Sequence, residues 1–213
     1  MTEYLERVRR PDRTGPAGRR IAVSVGIAVL GFALGIFQKW LDGSAANELP
    51  VIFQRLDLTN FFGRLAVWIF LGAVISVCAA TPARAGLNTF LFLGCMVLGY
   101  YVYGQFVLGF FPRSYAMIWA VLACVSPVPA AVCWYAKGCG WPAVVISAGI
   151  LGCLLSQAIG LVQGLRVLFL PEVIVWAAAV VILRRRDWKE FAWEMGLSVV
   201  IAAAVQVLLP FWG

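Results

Sequence analysis

Beyond Arg20 the chain alternates long apolar runs with short polar breaks. The runs fall near residues 21–38, 61–80, 87–111, 115–136, 142–162, 167–183 and 193–212. A helix crossing a bilayer needs about 20 predominantly apolar residues. The pattern therefore predicts an all-α, polytopic transmembrane helix bundle of about seven spans, or six if the last run is interfacial.

The longest polar break, Lys39–Arg64, carries Lys39, Asp42, Glu48, Arg55, Asp57 and Arg64. Leu49, Ile52, Phe53 and Leu56 share one helical face, with Asn47 placed to cap and Pro50 in a first turn. Residues 48–57 are expected to form a short amphipathic surface helix between spans 1 and 2. Thr59 or Asn60 is expected to cap the second span. Two stripes of small residues, Gly31–Gly35 and Gly72–Ser76–Ala80, mark faces where another helix can approach closely. Ser126-Pro127-Val128-Pro129 lies near the middle of the fourth run and should kink or break that helix. Broken helices persist at membrane depth only where protein or a wet cavity satisfies the freed groups, as in transporters.

Composition sharpens this. Of the 213 residues 62% are hydrophobic and 13% charged, against about 25% charged in an ordinary soluble domain. No length is left for a separate soluble domain, so the bundle is assigned to residues 21–213, after a basic tail over 1–20 with six arginines. No cleavage site follows the first run, and the tail is expected to be uncleaved, mobile and cytoplasmic. The net charge of +7 sits at span ends and in the tail. That placement fits the bilayer and anionic lipid headgroups as partners, not nucleic acid. A cytoplasmic N-terminus puts twelve Lys and Arg inside and five outside. The expected location is thus the plasma membrane (a bacterial inner membrane), multi-pass, with the C-terminus outside.

Cys78, Cys95, Cys124, Cys133, Cys139 and Cys153 form no CxxC pair. They read as small buried apolar residues, neither a disulfide frame nor a metal site. There is no histidine, hence no member of the commonest class of general base or metal ligand. No cofactor or metal is expected.

Polar residues collect at the outer end of the predicted bundle: Asp42, Arg64, Tyr101, Gln105, Arg113, Gln157, Arg166 and Glu172. Glu172 is the carboxylate set well inside the spans, and a buried charge needs a partner or a task. Arg166, six residues away, and Arg113, at the same level, are its expected partners. Two roles stay open. One is a salt bridge fastening span 6 to span 3. The other is an outward-facing pocket whose charge is set by Glu172, Arg113 and Arg166.

The segments KWLD (39–42), NFFGRLAVW (60–68), FFPRSYAMIW (110–119) and CWYAKGCG (133–140) resemble, as a set, a family of small bacterial polytopic membrane proteins with no established activity. The resemblance covers residues 30–140 and implies a shared architecture without catalytic residues. In size and layout the chain is also similar to the substrate-binding membrane subunits of vitamin-type importers. The leading expectation is a solute-binding or transport subunit with an outward-facing polar pocket. It would work with a separate ATPase, because no G-x-x-x-x-G-K-[ST] loop is present. One alternative is a structural or regulatory subunit of a larger membrane complex, docking through its small-residue stripes. The other is a membrane-embedded enzyme using Asp42, Glu48 and Asp57, against which stands the lack of HExxH, GxSxG or a metal-spaced carboxylate pair.

Overall fold

The computed structural model describes residues 2–12, 14–45, 49–109, 113–162 and 165–209. Among these the regular structure is helical except for one antiparallel pair of two-residue strands, Ile159–Gly160 with Arg166–Val167.

Helices α2 (Ala17–Gly43) and α6 (Pro82–Phe106) make the closest seam. A Cβ on Gly31 or Gly35 would overlap the Phe92 or Met96 carbonyl oxygen, and one on Gly99 would overlap that of Phe32. The glycines are what let the two backbones touch. Helix α5 (Ala66–Cys78) lies against α6 through its own small stripe. There the Ser76 and Thr89 hydroxyls sit 3.2 Å apart, and a Cβ on Gly72 would meet Thr89 at 3.6 Å.

The expected break is present. Helix α7 (Arg113–Val125) ends where α8 (Pro127–Cys133) begins, followed by a 3₁₀ turn over Trp134–Lys137. The axis turns by 44° at Ser126. Pro127 and Pro129 carry no amide hydrogen, and the Ser126 hydroxyl bonds back to the Ala123 carbonyl at 2.7 Å.

Helix α9 (Trp141–Ala158) is the most enclosed, and α10 (Leu170–Leu183) and α11 (Trp188–Leu208) pack against it. Its Ile150, Leu151 and Leu154 join Val77, Ala179 and Leu183 in the main apolar core.

Four helices, α2, α6, α9 and α11, are long and apolar enough to cross a membrane, and the bent α7–α8 pair makes five. The remaining two runs yield shorter helices, α5 with 13 residues and α10 with 14. At 1.5 Å per residue these reach roughly 20 Å, against a hydrocarbon core of about 30 Å. The apolar runs overstate helix length because Arg64–Leu65 interrupts the second and extended backbone at Phe169 delays the sixth.

The 48–57 surface helix is also shorter than expected. It is reduced to α3 (Val51–Arg55), and after a turn a separate helix, α4 (Leu58–Gly63), follows. Asp57 stands between them at φ 50° and ψ 45°, a left-handed conformation that ends one helix and starts the next. Asn47 and Glu48 lie outside the described residues. Thr59 and Asn60 sit inside α4, and the residue before α5 is Leu65, which makes no side-chain cap.

The tail is docked. Helix α1 (Thr2–Val8) ends at a buried Val8 whose carbonyl accepts from the Cys139 amide at 2.8 Å. The Asp12 amide donates to the Ala80 carbonyl at 2.9 Å. The Arg9 guanidinium lies 4.2 Å from the Trp134 ring centre and donates to the Trp134 and Val77 carbonyls. Burial pushes the Arg9 pKa below the ordinary arginine value. Residues 8–12 therefore form part of the bundle's end. All six cysteines are free, but none is fully buried: Cys78, Cys124 and Cys139 are exposed and the others partly so.

Candidate functional site

Helix α4 ends at Gly63, and the Arg64 amide closes it by donating to the Asn60 carbonyl at 3.0 Å. Arg64 then turns to extended backbone before α5. Across from it Glu172 occupies the first turn of α10, after Phe169 and Pro171, where the helix dipole favours a carboxylate. Glu172 is fully buried, and Arg64 Nε donates to its Oε1. The same guanidinium lies 3.8 Å from the Phe169 ring centre and 3.6 Å from Asp57. The contact is one-pronged: Arg64 Nη2 and Glu172 Oε2 are buried without a hydrogen-bond partner among the described residues. Trp176 Nε1, one helical turn beyond Glu172, is in the same position.

The ion pair is thus formed with Arg64, not with Arg166 or Arg113. Arg166 lies in the short strand and is exposed. Arg113 begins α7, and its side chain lies outside the described residues. Arg64 prevails because α5, which it precedes, packs directly on α10.

Beside Gly63 the last turn of α2 and the second half of α6 enclose a polar cavity of about 70 Å³. Gln38, Asp42, Tyr100 and Tyr101 line it, with Trp68, Met96, Val97 and Trp119 behind them. The Tyr100 hydroxyl donates to Asp42 at 2.7 Å, and the Lys39 ammonium lies 4.8 Å from the Tyr100 ring centre. The Phe62 carbonyl accepts from both Gln38 Nε2 and Trp68 Nε1 at 2.9 Å, which draws α4 onto α2 and α5. One water needs about 10–15 Å³ of such space, so the cavity has room for a small polar group.

An apolar groove of about 430 Å³ runs along α5, α6, α7 and α8. It shares Trp68, Met96, Val97 and Trp119 with the polar cavity, so the two spaces abut. The prolines bring α8 to the same groove through Pro129 and Ala130.

Of the residues singled out in the sequence, the structure gathers Asp42 and Tyr101 at the cavity and pairs Arg64 with Glu172 beside it. Gln157 is buried on α9, where its amide donates to the Cys153 carbonyl at 3.5 Å. Gln105 is exposed near the end of α6. Neither Gln105 nor Arg166 lines the cavity.

A second buried carboxylate escaped the sequence reading. Glu194, in α11, is fully buried, and neither oxygen has a hydrogen-bond partner among the described residues. Ser147, Arg185 and Glu190 face it. The Ser147 hydroxyl donates instead to the Ala143 and Val144 carbonyls. A signal was available: Glu190, Glu194, Ser198, Ala202 and Gln206 recur every four residues, one face of a helix. Gln206, on that face, ties α11 to the end of α9 through the Leu161 amide at 2.9 Å and the Ser156 and Ile159 carbonyls at 2.7 Å.

Comparison with protein-family models, with curated proteins and with solved structures finds no match. The chain is classed by its own architecture: predominantly helical, with four to five helices among the described residues long and apolar enough to cross a membrane. The resemblance of its four aromatic and polar segments adds no residue role.

Proposed function

We propose that this chain is a membrane-embedded solute-binding or transport subunit whose ligand is a small amphipathic molecule. One observation carries the reading: a polar cavity and an apolar groove meet over Trp68, Met96, Val97 and Trp119. A polar head group would be held among Asp42, Gln38 and Tyr101, and an apolar body would lie along the groove. The groove's volume falls within the roughly 300–1,000 Å³ of small-molecule sites. The broken α7–α8 helix lines it, as expected of irregular backbone beside a ligand path.

In this reading α5 and α10 are short sixth and seventh crossings. On the same reading the N-terminus lies in the cytoplasm of a bacterial cell and the site opens outward; the excess of Lys and Arg in the segments then inside supports that orientation. An ATPase partner would supply energy. The structural-subunit alternative loses part of its support, because the Gly31–Gly35 stripe is taken up in the α2–α6 seam.

The test is mild-detergent purification of the full chain, with bound small molecules and partners identified by mass spectrometry. The expected result is an amphipathic molecule retained by the wild type and lost from Asp42→Ala and Trp119→Ala proteins that still fold. Identical recovery from wild type and variants, or no bound molecule, would overturn the proposal.

A further inference from the structure

At the end opposite Glu172, the docked tail, the start of α2, the α5–α6 turn and Trp134 enclose a cavity of about 390 Å³. Five arginines line it, Arg9, Arg10, Arg19, Arg20 and Arg84, against a single carboxylate, Asp12. Asp12 is itself engaged, accepting from the Thr14 amide at 2.9 Å and hydroxyl at 2.6 Å. Among the described residues no salt bridge takes up Arg9, Arg10, Arg19 or Arg84. Guanidinium groups gathered around one space repel each other unless an anion lies between them.

The arrangement is held in place by contacts other than charge. The Val8–Cys139 and Asp12–Ala80 backbone bonds fix the tail, and Arg9 is pinned on Trp134. On the floor Arg84 Nη1 lies 3.4 Å from the Ser24 hydroxyl, which donates to buried Asn88 at 2.7 Å. Arg9 and Arg84 are therefore held in position by protein contacts, and the exposed Arg10 and Arg19 stand at the same cavity. The neighbouring cavity at this end differs: its lining sets Asp187 and Glu190 against Lys137 and three arginines.

We propose that the arginine-lined cavity binds a phosphate group. Guanidinium matches phosphate with paired, charge-assisted hydrogen bonds, and three free oxygens can engage several arginines where a carboxylate serves fewer. Two sources share this chemistry, the headgroup of an anionic phospholipid and a free phosphate or phosphate monoester. Val23 lines the cavity, and Leu30, two turns further along the same side of α2, is likewise exposed apolar surface against which an acyl chain can lie.

The experiment is native mass spectrometry of the delipidated full chain, titrated with phosphatidic acid or with oleic acid, with and without inorganic phosphate. The comparison is with an Arg10→Gln/Arg19→Gln/Arg84→Gln variant that leaves Arg9 in place. The expected result is phosphatidic acid bound by the wild type and weakened about a hundredfold in the triple variant. Displacement by millimolar inorganic phosphate assigns the site to free phosphate; resistance assigns it to the lipid headgroup. Equal binding by wild type and variant, or oleic acid competing as well as phosphatidic acid, would overturn the proposal. If the triple variant fails to fold by tryptophan fluorescence, Arg10→Gln and Arg19→Gln provide the same readout singly. Both side chains are exposed, each single change should weaken binding several-fold, and equal affinity in both overturns the site.

Discussion

Glu172 and Glu194 are both fully buried in the helical bundle, at opposite ends of it, and each has an arginine nearby. Arg64 spends its Nε on the Glu172 carboxylate. Arg185 spends its donors mainly on backbone, on the Ala136 carbonyl at 2.8 Å and the Gly138 carbonyl at 2.9 Å, with a longer contact to the Ser147 hydroxyl at 3.4 Å, and stands 3.6 Å from the half-exposed Glu190. Glu194 is left without a bond among the described residues. The difference lies in what else competes for the guanidinium. At Arg64 the chain supplies a carboxylate and an aromatic face. At Arg185 the 3₁₀ turn and the loop after it leave carbonyls unbonded at a helix end, and these attract a cation as well. Arg9 follows the second pattern on Val77 and Trp134. A buried arginine beside a buried acid does not by itself make an ion pair.

The largest effect should come from Arg64→Met. It leaves Glu172 buried without its cation, which costs about 3–5 kcal/mol. Unfolding of the purified protein in a graded detergent denaturant measures this. Glu172→Gln should cost less, since Arg64 keeps Asp57 and Phe169. The Arg64→Met/Glu172→Gln double variant should recover most of the loss. A double variant that regains stability but not the retained small molecule gives the pair a place in the ligand site. One that regains both makes it a fastener alone.

Arg185→Met comes second. It removes two hydrogen bonds from a charged donor to the Ala136 and Gly138 carbonyls and a longer one to the Ser147 hydroxyl, worth about 2–3 kcal/mol together. If it costs as much as Arg64→Met, Arg185 neutralises Glu194 after all and the contrast between the two ends fails. Glu194→Leu is third and opposite in sign. Removing a buried polar group that has no partner should be neutral or stabilise by about 1 kcal/mol. A loss beyond about 2 kcal/mol would show that Glu194 holds a bond that matters. The same substitution at Glu172 should destabilise.

How far the sequence foretold these features depends on how local their causes are. Ser126-Pro127-Val128-Pro129 announced its break because missing amide hydrogens act within one turn. Gly31 and Gly35 announced a close approach, though not its partner, since Phe92 and Met96 lie some sixty residues on. Helix length was poorly foretold, because hydropathy continues through the extended residues before α10 and across Arg64–Leu65. Asp57's left-handed backbone carried no such signal, and it separates the surface helix from α4. Long-range choices were least legible. Arg64, Arg113 and Arg166 sit at similar depth in the sequence pattern, and only packing selects Arg64. The docking of Arg9 on Trp134 likewise joins residues 125 apart.

The smallest effect expected is also the one that bears most directly on that selection. Arg166 is six residues before Glu172, a spacing that would set the two side chains about 120° apart even on a continuous helix. The chain between them is not helical: Arg166 and Val167 form a strand paired with Gly160 and Ile159, which carries the Arg166 side chain to the surface. Arg166→Gln should therefore change stability by no more than about 0.5 kcal/mol, as surface substitutions do. Glu172 Oε2 is nevertheless buried and without a described partner, so a cation from that strand would find an acceptor if the hairpin swung inward. Such a state would show as an Arg166→Gln cost approaching that of Arg64→Met, and as loss of additivity between the two. Additive and small, the result would leave Arg64 as the sole cation of the site and Oε2 as an acceptor still available to a ligand.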